Sequence, residues 1–445
     1  MSRVPPRPSR RAPSLTRRAV LAGALGAGTA GALAACSGGG GGTTPQNTLN
    51  VWGGVPPESG PGALVDAFHE AHPEYTVNYT RFVNDDRGNL KLDTALQGGV
   101  DIDVYFTYAT GNLALRAGSG MTLDLTDRVE ADPELAEFLD TEAPKGFWQD
   151  DRLTALATTR EPNMILVNLA RLEAAGIELP QAWTLDEFVA AAAELTGDGT
   201  YGAYMLPDTA RVSLGPNYWY TDDGGSNFAD PAFGEHMALS RDLIDDGVLY
   251  PWTEILARQL EAYQQNAFVA EDFALWMTAP FSLRFLADAE NYPHDFKVAA
   301  APIPTTDVGA WNTGVFGNHI MVNPRSSKQD LAWEFVRFWI LSGSEFMAPG
   351  GKIPTLQNVG TEDMLGSLLG PDAADWFDVD SFRRVLFDDD PELFVDTNLT
   401  AFPEIDLAVR QQRDLCWIGE RAPVDAVDAI DRQAGAAITR YGRSS

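Results

Sequence analysis

Between residues 48 and 106 the chain alternates strand and helix at a spacing that leaves few folds open to it. Leu49, Asn50, Val51 and Trp52 form a short strand stopped by Gly53 and Gly54, and residues 62–71 place Leu64, Ala67, Phe68 and Ala71 on one helical face. A second strand over 77–82, a second helix over 89–98 and a third strand over 101–106 follow. A βαβαβ opening predicts a parallel sheet with helices on both faces. Ligands of such sheets lie beyond the strand C-termini, which here means 52–56 and 107–111. At 445 residues the chain is too long for one hydrophobic core, so two lobes are expected.

The stretch 272–316 points to where the lobes join. Phe273, Leu275 and Met277 alternate through an apolar run that stops at Ala279-Pro280, where proline removes a backbone donor. A further strand over 297–301 is broken by Pro302 and Pro304. Corners of this kind, carrying Phe281 and Trp311, predict a crossing region with the ligand between the lobes. Residues 158–162 read as the first crossing and 349–354 as the third. Helices are expected over 231–246, 252–266 and 327–341. Another starts at Thr184, where Glu187 completes a capping box and Trp183 with Phe188 a hydrophobic staple.

The first 36 residues read as a leader. Arg17-Arg18 before a mildly apolar Ala/Gly run resembles a Tat-type export signal. That run is too short and too poor in large aliphatics to span a membrane. Leu33-Ala34-Ala35-Cys36 resembles a lipobox, in which the Cys36 thiol takes the lipid. The tether, 37–47, is rich in glycine, and the protein is expected at the outer face of the cytoplasmic membrane. With Cys36 lipidated, Cys416 has no disulfide partner and is expected to be a buried helical residue. The chain carries 32 basic residues against 63 acidic ones. Six of the arginines precede Cys36, so the folded part is more acidic still, a field that repels nucleic acid and anionic ligands.

Covalent chemistry finds little support. The chain contains no G-x-S-x-G elbow, no phosphate-binding G-x-x-x-x-G-K-[ST] loop and no H-E-x-x-H, and its five histidines are scattered. No catalytic residue, metal or cofactor is implied. What remains is aromatic and polar: Trp52, Tyr108, Trp219, Trp276, Phe281, Trp311 and Phe402, most beside Gly or Pro corners. Aromatic faces stack on the C–H faces of sugars while carboxylates, amides and arginine satisfy ring hydroxyls, so such a site suits an uncharged polyol.

The segments 49–54, 102–106 with 114–127, 164–196, 272–283, 296–305 and 326–340, followed by 350–356, together resemble the family 1 extracellular solute-binding proteins of ABC importers. The resemblance implies an α/β, two-lobed periplasmic-binding-protein-like fold. Each lobe would be a mixed, mostly parallel sheet flanked by helices, with three hinge crossovers. The lobes would be 48–160 with 314–349, and 161–313 with 350–445. It implies a monomer that binds a mono- or oligosaccharide and presents it to permease subunits. The ligand contacts carried over are Trp52, Gly53, Gly54, Tyr108, Arg160, Glu161, Trp219, Trp276, Phe281, Trp311, Asn312, Phe402 and Asp406. Phe281 stands where sugar binders often have tryptophan. Alternatives from the same residues are a polyamine-binding protein, an exported glycan hydrolase using a cleft acid such as Glu161, and a surface sensor.

Overall fold

The computed structural model describes residues 44–139, 146–356 and 359–441. The expected leader with Cys36, and the first part of the tether, lie outside them. Eleven strands are formed among the described residues. They are β1 (Thr48–Gly53), β2 (Thr76–Arg81), β3 (Val104–Thr107), β4 (Gly146–Gln149), β5 (Arg152–Glu161) and β6 (Met164–Asn168). Then come β7 (Tyr201–Ala203), β8 (Phe273–Thr278), β9 (Val298–Ala301), β10 (Val315–Val322) and β11 (Ile353–Pro354). They build two sheets: one in the order β11-β5-β10-β3-β1-β2 with β4 on β5, the other in the order β7-β8-β6-β9.

The expected parallel opening is present, since β1 pairs parallel with both β2 and β3. The sheets as wholes are less parallel than expected, because β10 is antiparallel to β3 and β5, and β6 is antiparallel to β8 and β9. Crossing explains this. β1, β3 and β5 run toward the seam, whereas β10 and β6 begin at it after the chain has come from the other sheet, so they must run away. One expected boundary also shifts. Ile353 and Pro354 pair with Arg160 and Thr159 of β5, so the first sheet reaches past residue 349 and the chain leaves it only after β11.

Period-2 burial places the cores. In β6, Met164 and Leu166 face one cluster with Trp276 and Phe273, while Ile165 and Val167 face another with Phe188 and Leu275. In the first sheet Leu49, Val51, Val104 and Phe106 pack with Phe68, Phe335 and Trp339. The helix Leu185–Glu194 has both halves of its capping box, and Trp183 meets Phe188 edge to face at 5.2 Å. The single helix expected over 252–266 is two, Trp252–Arg258 and Gln265–Val269. Gln259 takes a left-handed cap, and the Leu260 N–H returns to the Ile255 carbonyl at 3.0 Å. Cys416 is fully buried in the helix Phe402–Trp417, as expected.

Candidate ligand-binding cleft

β1 and β3 lie side by side and parallel, so the loops after them leave the sheet at one edge. Tyr108 follows β3, and its hydroxyl oxygen accepts the Gly54 N–H at 2.6 Å. A Cβ on Gly54 would lie 2.9 Å from the Tyr108 ring, so only glycine lets the two loops approach this closely. On β2 the Tyr79 hydroxyl donates to the Val55 carbonyl at 2.9 Å, and its ring covers Gly53 in the same way. Burial raises both phenols above their ordinary pKa, so both keep their protons.

The floor lies where β5, β10 and the residues before β11 converge. Glu161 ends β5, and the Lys352 ammonium reaches it at 2.7 Å, with the two side chains only 14% and 6% exposed. Thr159 Oγ1 donates to the same carboxylate at 3.1 Å, as does the Asn318 amide, which also donates to Thr159 at 2.6 Å. Asn318 sits within β10 at φ 49°, a conformation asparagine tolerates better than most residues. Its Oδ1 is buried without a partner. Burial pulls the Lys352 pKa down while the Glu161 charge opposes the shift.

The second lobe supplies the facing wall. After β8 a single turn, Pro280–Ser282, leads into the short helix Leu283–Leu286. The Lys352 ammonium stands 5.6 Å from the centre of the Phe281 ring. Gly351, at φ 72°, passes so close that a Cβ there would lie 2.7 Å from Phe281 Cα and closer still to the Pro280 carbonyl. The Arg284 guanidinium rests 4.6 Å from the Phe285 ring and lies within electrostatic reach of Tyr108, Tyr79 and Glu161. Burial lowers its pKa, with Tyr263 and Tyr108 opposing.

Gly53, Gly54, Tyr108, Glu161 and Phe281 thus meet at the seam, and the other residues expected there have different surroundings. Trp52 packs with Leu92, Leu96 and Tyr105, and Lys91 lies over its ring at 5.5 Å. Arg160 points to the opposite side of β5 from Glu161 and pairs with Asp390 at 2.8 Å. Trp276 is 1% exposed, a core residue of a strand covered on both faces, so it is not available to a ligand. Trp219 and Phe402 are buried and stack on each other at 4.6 Å. Trp311 meets Phe394 edge to face at 5.5 Å and fills the space left by Gly215.

Asn312 spends its amide on the crossings themselves. Its Oδ1 accepts from the Asn163 and Gly314 N–H groups at 3.0 and 2.8 Å, and its Nδ2 donates to the Asn163 carbonyl at 3.0 Å. Asp406 pairs with Arg410 at 3.1 Å and lies 3.8 Å from where a Gly111 side chain would begin; burial raises its pKa. Tyr79, Arg81, Arg284, Asn318 and Lys352 were not anticipated. The strand-end rule that selected 52–56 applies equally to Arg81 at the end of β2. A lysine between paired glycines and Ile-Pro, in a chain with five lysines, was a further signal. A wider polar hollow of about 640 Å3 lies elsewhere, lined by Asn217, Tyr218, Asp222 and Asn398. It lacks the facing walls from both sheets.

His319 lies beneath this floor on β10, 8% exposed. Burial pushes its pKa down to about 4 against the pull of Glu161. The unfolded imidazole binds its proton near pH 6.5, so its contribution to stability is complete above that pH and is lost as pH falls toward 4. Between pH 7.5 and pH 5 the loss is about 2 kcal/mol by linkage. Urea titrations at the two pH values should show this increment in the wild type and lack it in His319→Gln.

Two α/β sheets threaded by crossings, with tyrosine and glycine on one side of a seam and phenylalanine and arginine on the other, define a two-lobed binding-protein fold. The sequence profile of the bacterial extracellular solute-binding proteins matches residues 55–344, and the chain belongs to that family. It is 28% identical over 159 residues to an uncharacterized lipoprotein in the oleD 5′ region of Streptomyces antibioticus, covering 34% of each chain. It is 26% identical over 295 residues to a putative binding protein of Brucella abortus, covering 61% of this chain and 66% of that one. The matches therefore span about a third and just under two thirds of these relatives' lengths.

Among solved structures, an ABC substrate-binding protein from Listeria monocytogenes in complex with cycloalternan superposes with a TM-score of 0.71 at 20% identity, covering 88% of this chain and 99% of that one. The GacH receptor of Streptomyces glaucescens, solved unliganded and with acarbose, gives 0.65 at 19% identity, covering 88% and 99%. A solute-binding protein from Thermotoga lettingae bound with α-D-tagatose gives 0.66 at 18% identity, covering 88% and 100%. These are likenesses of fold.

Proposed function

We propose that the chain captures a carbohydrate, a mono- or oligosaccharide, between its lobes and delivers it unaltered to the permease of an ABC importer. The observation that carries this reading is the seam itself, where Tyr108 and Gly54 face Phe281 and Arg284 above the Glu161–Lys352 pair. Aromatic faces of this kind take the C–H faces of a sugar ring, and the surrounding polar groups take its hydroxyls. Contacts made to both walls would favour the closed arrangement by binding it better. The sugars named with the Listeria, Streptomyces and Thermotoga proteins support the same ligand class.

Among the described residues no helix is long and apolar enough to cross a membrane. In this reading the chain is exported by its twin-arginine leader and held at the membrane by lipid on Cys36, as one of its relatives, described as a lipoprotein, would lead one to expect. The test is thermal unfolding across a panel of sugars. The cognate class at a hundredfold excess over its Kd should stabilise the chain by about 2.7 kcal/mol and be recovered chemically unchanged. No shift with any sugar, or recovery of a cleaved product, would refute the reading.

A further inference from the structure

At least twelve of the twenty arginines among the described residues pair with a carboxylate. Arg116 has Asp93 at 2.7 Å, Arg160 has Asp390 at 2.8 Å and Arg211 has Asp396 at 2.9 Å. Arg284, inside the cleft, is not one of them: among the described residues its guanidinium, partly buried, has no ion pair and no hydrogen bond, only the face of Phe285. Arg81, exposed at the end of β2 on the opposite lobe, has no ion pair among the described residues, and its charge reaches Arg284. In a chain with 63 acidic residues a counter-ion would have been easy to supply.

The acids that do face this group are already engaged. Glu161 is held by Lys352, Thr159 and Asn318. Asp85, whose charge reaches Tyr263 at the edge of the group, accepts the Gly88 N–H at 2.7 Å as a helix cap. Arg81, Arg284 and Lys352 against Glu161 and Asp85 leave one positive charge in excess. A partly buried guanidinium left unpaired is costly, whereas its planar fork matches a carboxylate or sulfate through two parallel hydrogen bonds. The chain-wide acidity that argued against anions acts at a distance and is screened within about 8 Å at physiological salt, while these groups act in contact.

We infer that the ligand is a carbohydrate bearing one negative charge, a carboxylate or a sulfate ester, which is clamped between Arg284 of one lobe and Arg81 of the other. This deepens the proposed sugar-binding function and rests on it. The test is calorimetric titration of the full chain with uronate-containing oligosaccharides of two to four residues, with their carboxyl-reduced counterparts of identical linkage, and with monosulfated oligosaccharides of the same length.

An acidic form should bind at least about 30-fold more tightly than its uncharged counterpart, and Arg284→Gln should abolish that preference. The same substitution should raise the melting temperature of the unliganded chain, because it removes a partly buried charge that has no partner. Which acidic form binds distinguishes carboxylate from sulfate. Equal binding of charged and uncharged forms, or a preference that survives Arg284→Gln, overturns the anion assignment and leaves sugar binding standing. Binding of none of these sugars fails both.

Discussion

Lys352→Met is expected to lower the unfolding free energy by about 3–5 kcal/mol, the usual cost of removing one partner from a buried ion pair. The reason lies in what the substitution leaves behind. Glu161, 14% exposed at a junction of three chain segments, would keep neutral hydrogen bonds from Thr159 and Asn318 but lose its ion-pair partner. Adding Glu161→Gln should restore most of the loss, since the amide needs no counter-ion. Denaturant midpoints of the two single variants and the double variant give the coupling directly. Near additivity would mean that the pair does not hold the crossings together.

The second large effect is expected from Gly351→Ala. This residue has φ 72°, and its Cβ would meet the backbone of Pro280 and Phe281, which cannot rotate away as a side chain could. The strain of the left-handed conformation alone costs about 1 kcal/mol. Gly176→Ala isolates that part, because Gly176 has φ 68° in the turn that closes the helix Leu169–Ala174, where the Ile177 N–H returns to the Leu172 carbonyl at 3.1 Å, and nothing lies within 4 Å of where its Cβ would stand. Gly351→Ala should cost at least about 2 kcal/mol more than Gly176→Ala. It should also push the third crossing away from the second lobe, seen as a larger radius of gyration in solution scattering and ligand affinity lowered at least tenfold. Equal effects of the two substitutions would show that the close approach at Gly351 does not set the lobe arrangement.

What the sequence disclosed and what it withheld divide along the range of the interactions involved. The capping box at Thr184 and Glu187 spans three residues, and the βαβαβ opening is written in local periodicity, so both could be read directly. Glu161 and Lys352 are 191 residues apart, and their pairing exists only because β5 and β11 are neighbours in one sheet. Trp276 misled because an apolar strand ending at a proline corner looks alike whether one or both faces are covered. In β8 both are, with Phe273, Ala274, Leu275 and Trp276 at most 1% exposed. Arg160 and Glu161 were taken together, yet a strand turns successive side chains to opposite faces, and only one of them could reach the seam.

The stronger aromatic signals also proved the less useful ones. Trp219 and Trp311 spend their rings on other aromatics of the second lobe, and Phe402 stacks on Trp219 with its edge against Gly111 of the first lobe, whereas the seam is lined by tyrosines whose hydroxyls brace the glycine loop. Large aromatics in a long chain first serve its cores. A small residue beside a tyrosine at a strand end is the more discriminating pattern.

The most direct test of the account is a crystal structure of the chain with the sugar that raises its melting temperature. The ligand should lie between Tyr108 and Phe281, above Glu161 and Lys352, with every glycosidic bond intact. A sugar seated instead in the polar hollow of Asn217, Tyr218 and Asn398, or one touching a single lobe, would contradict it.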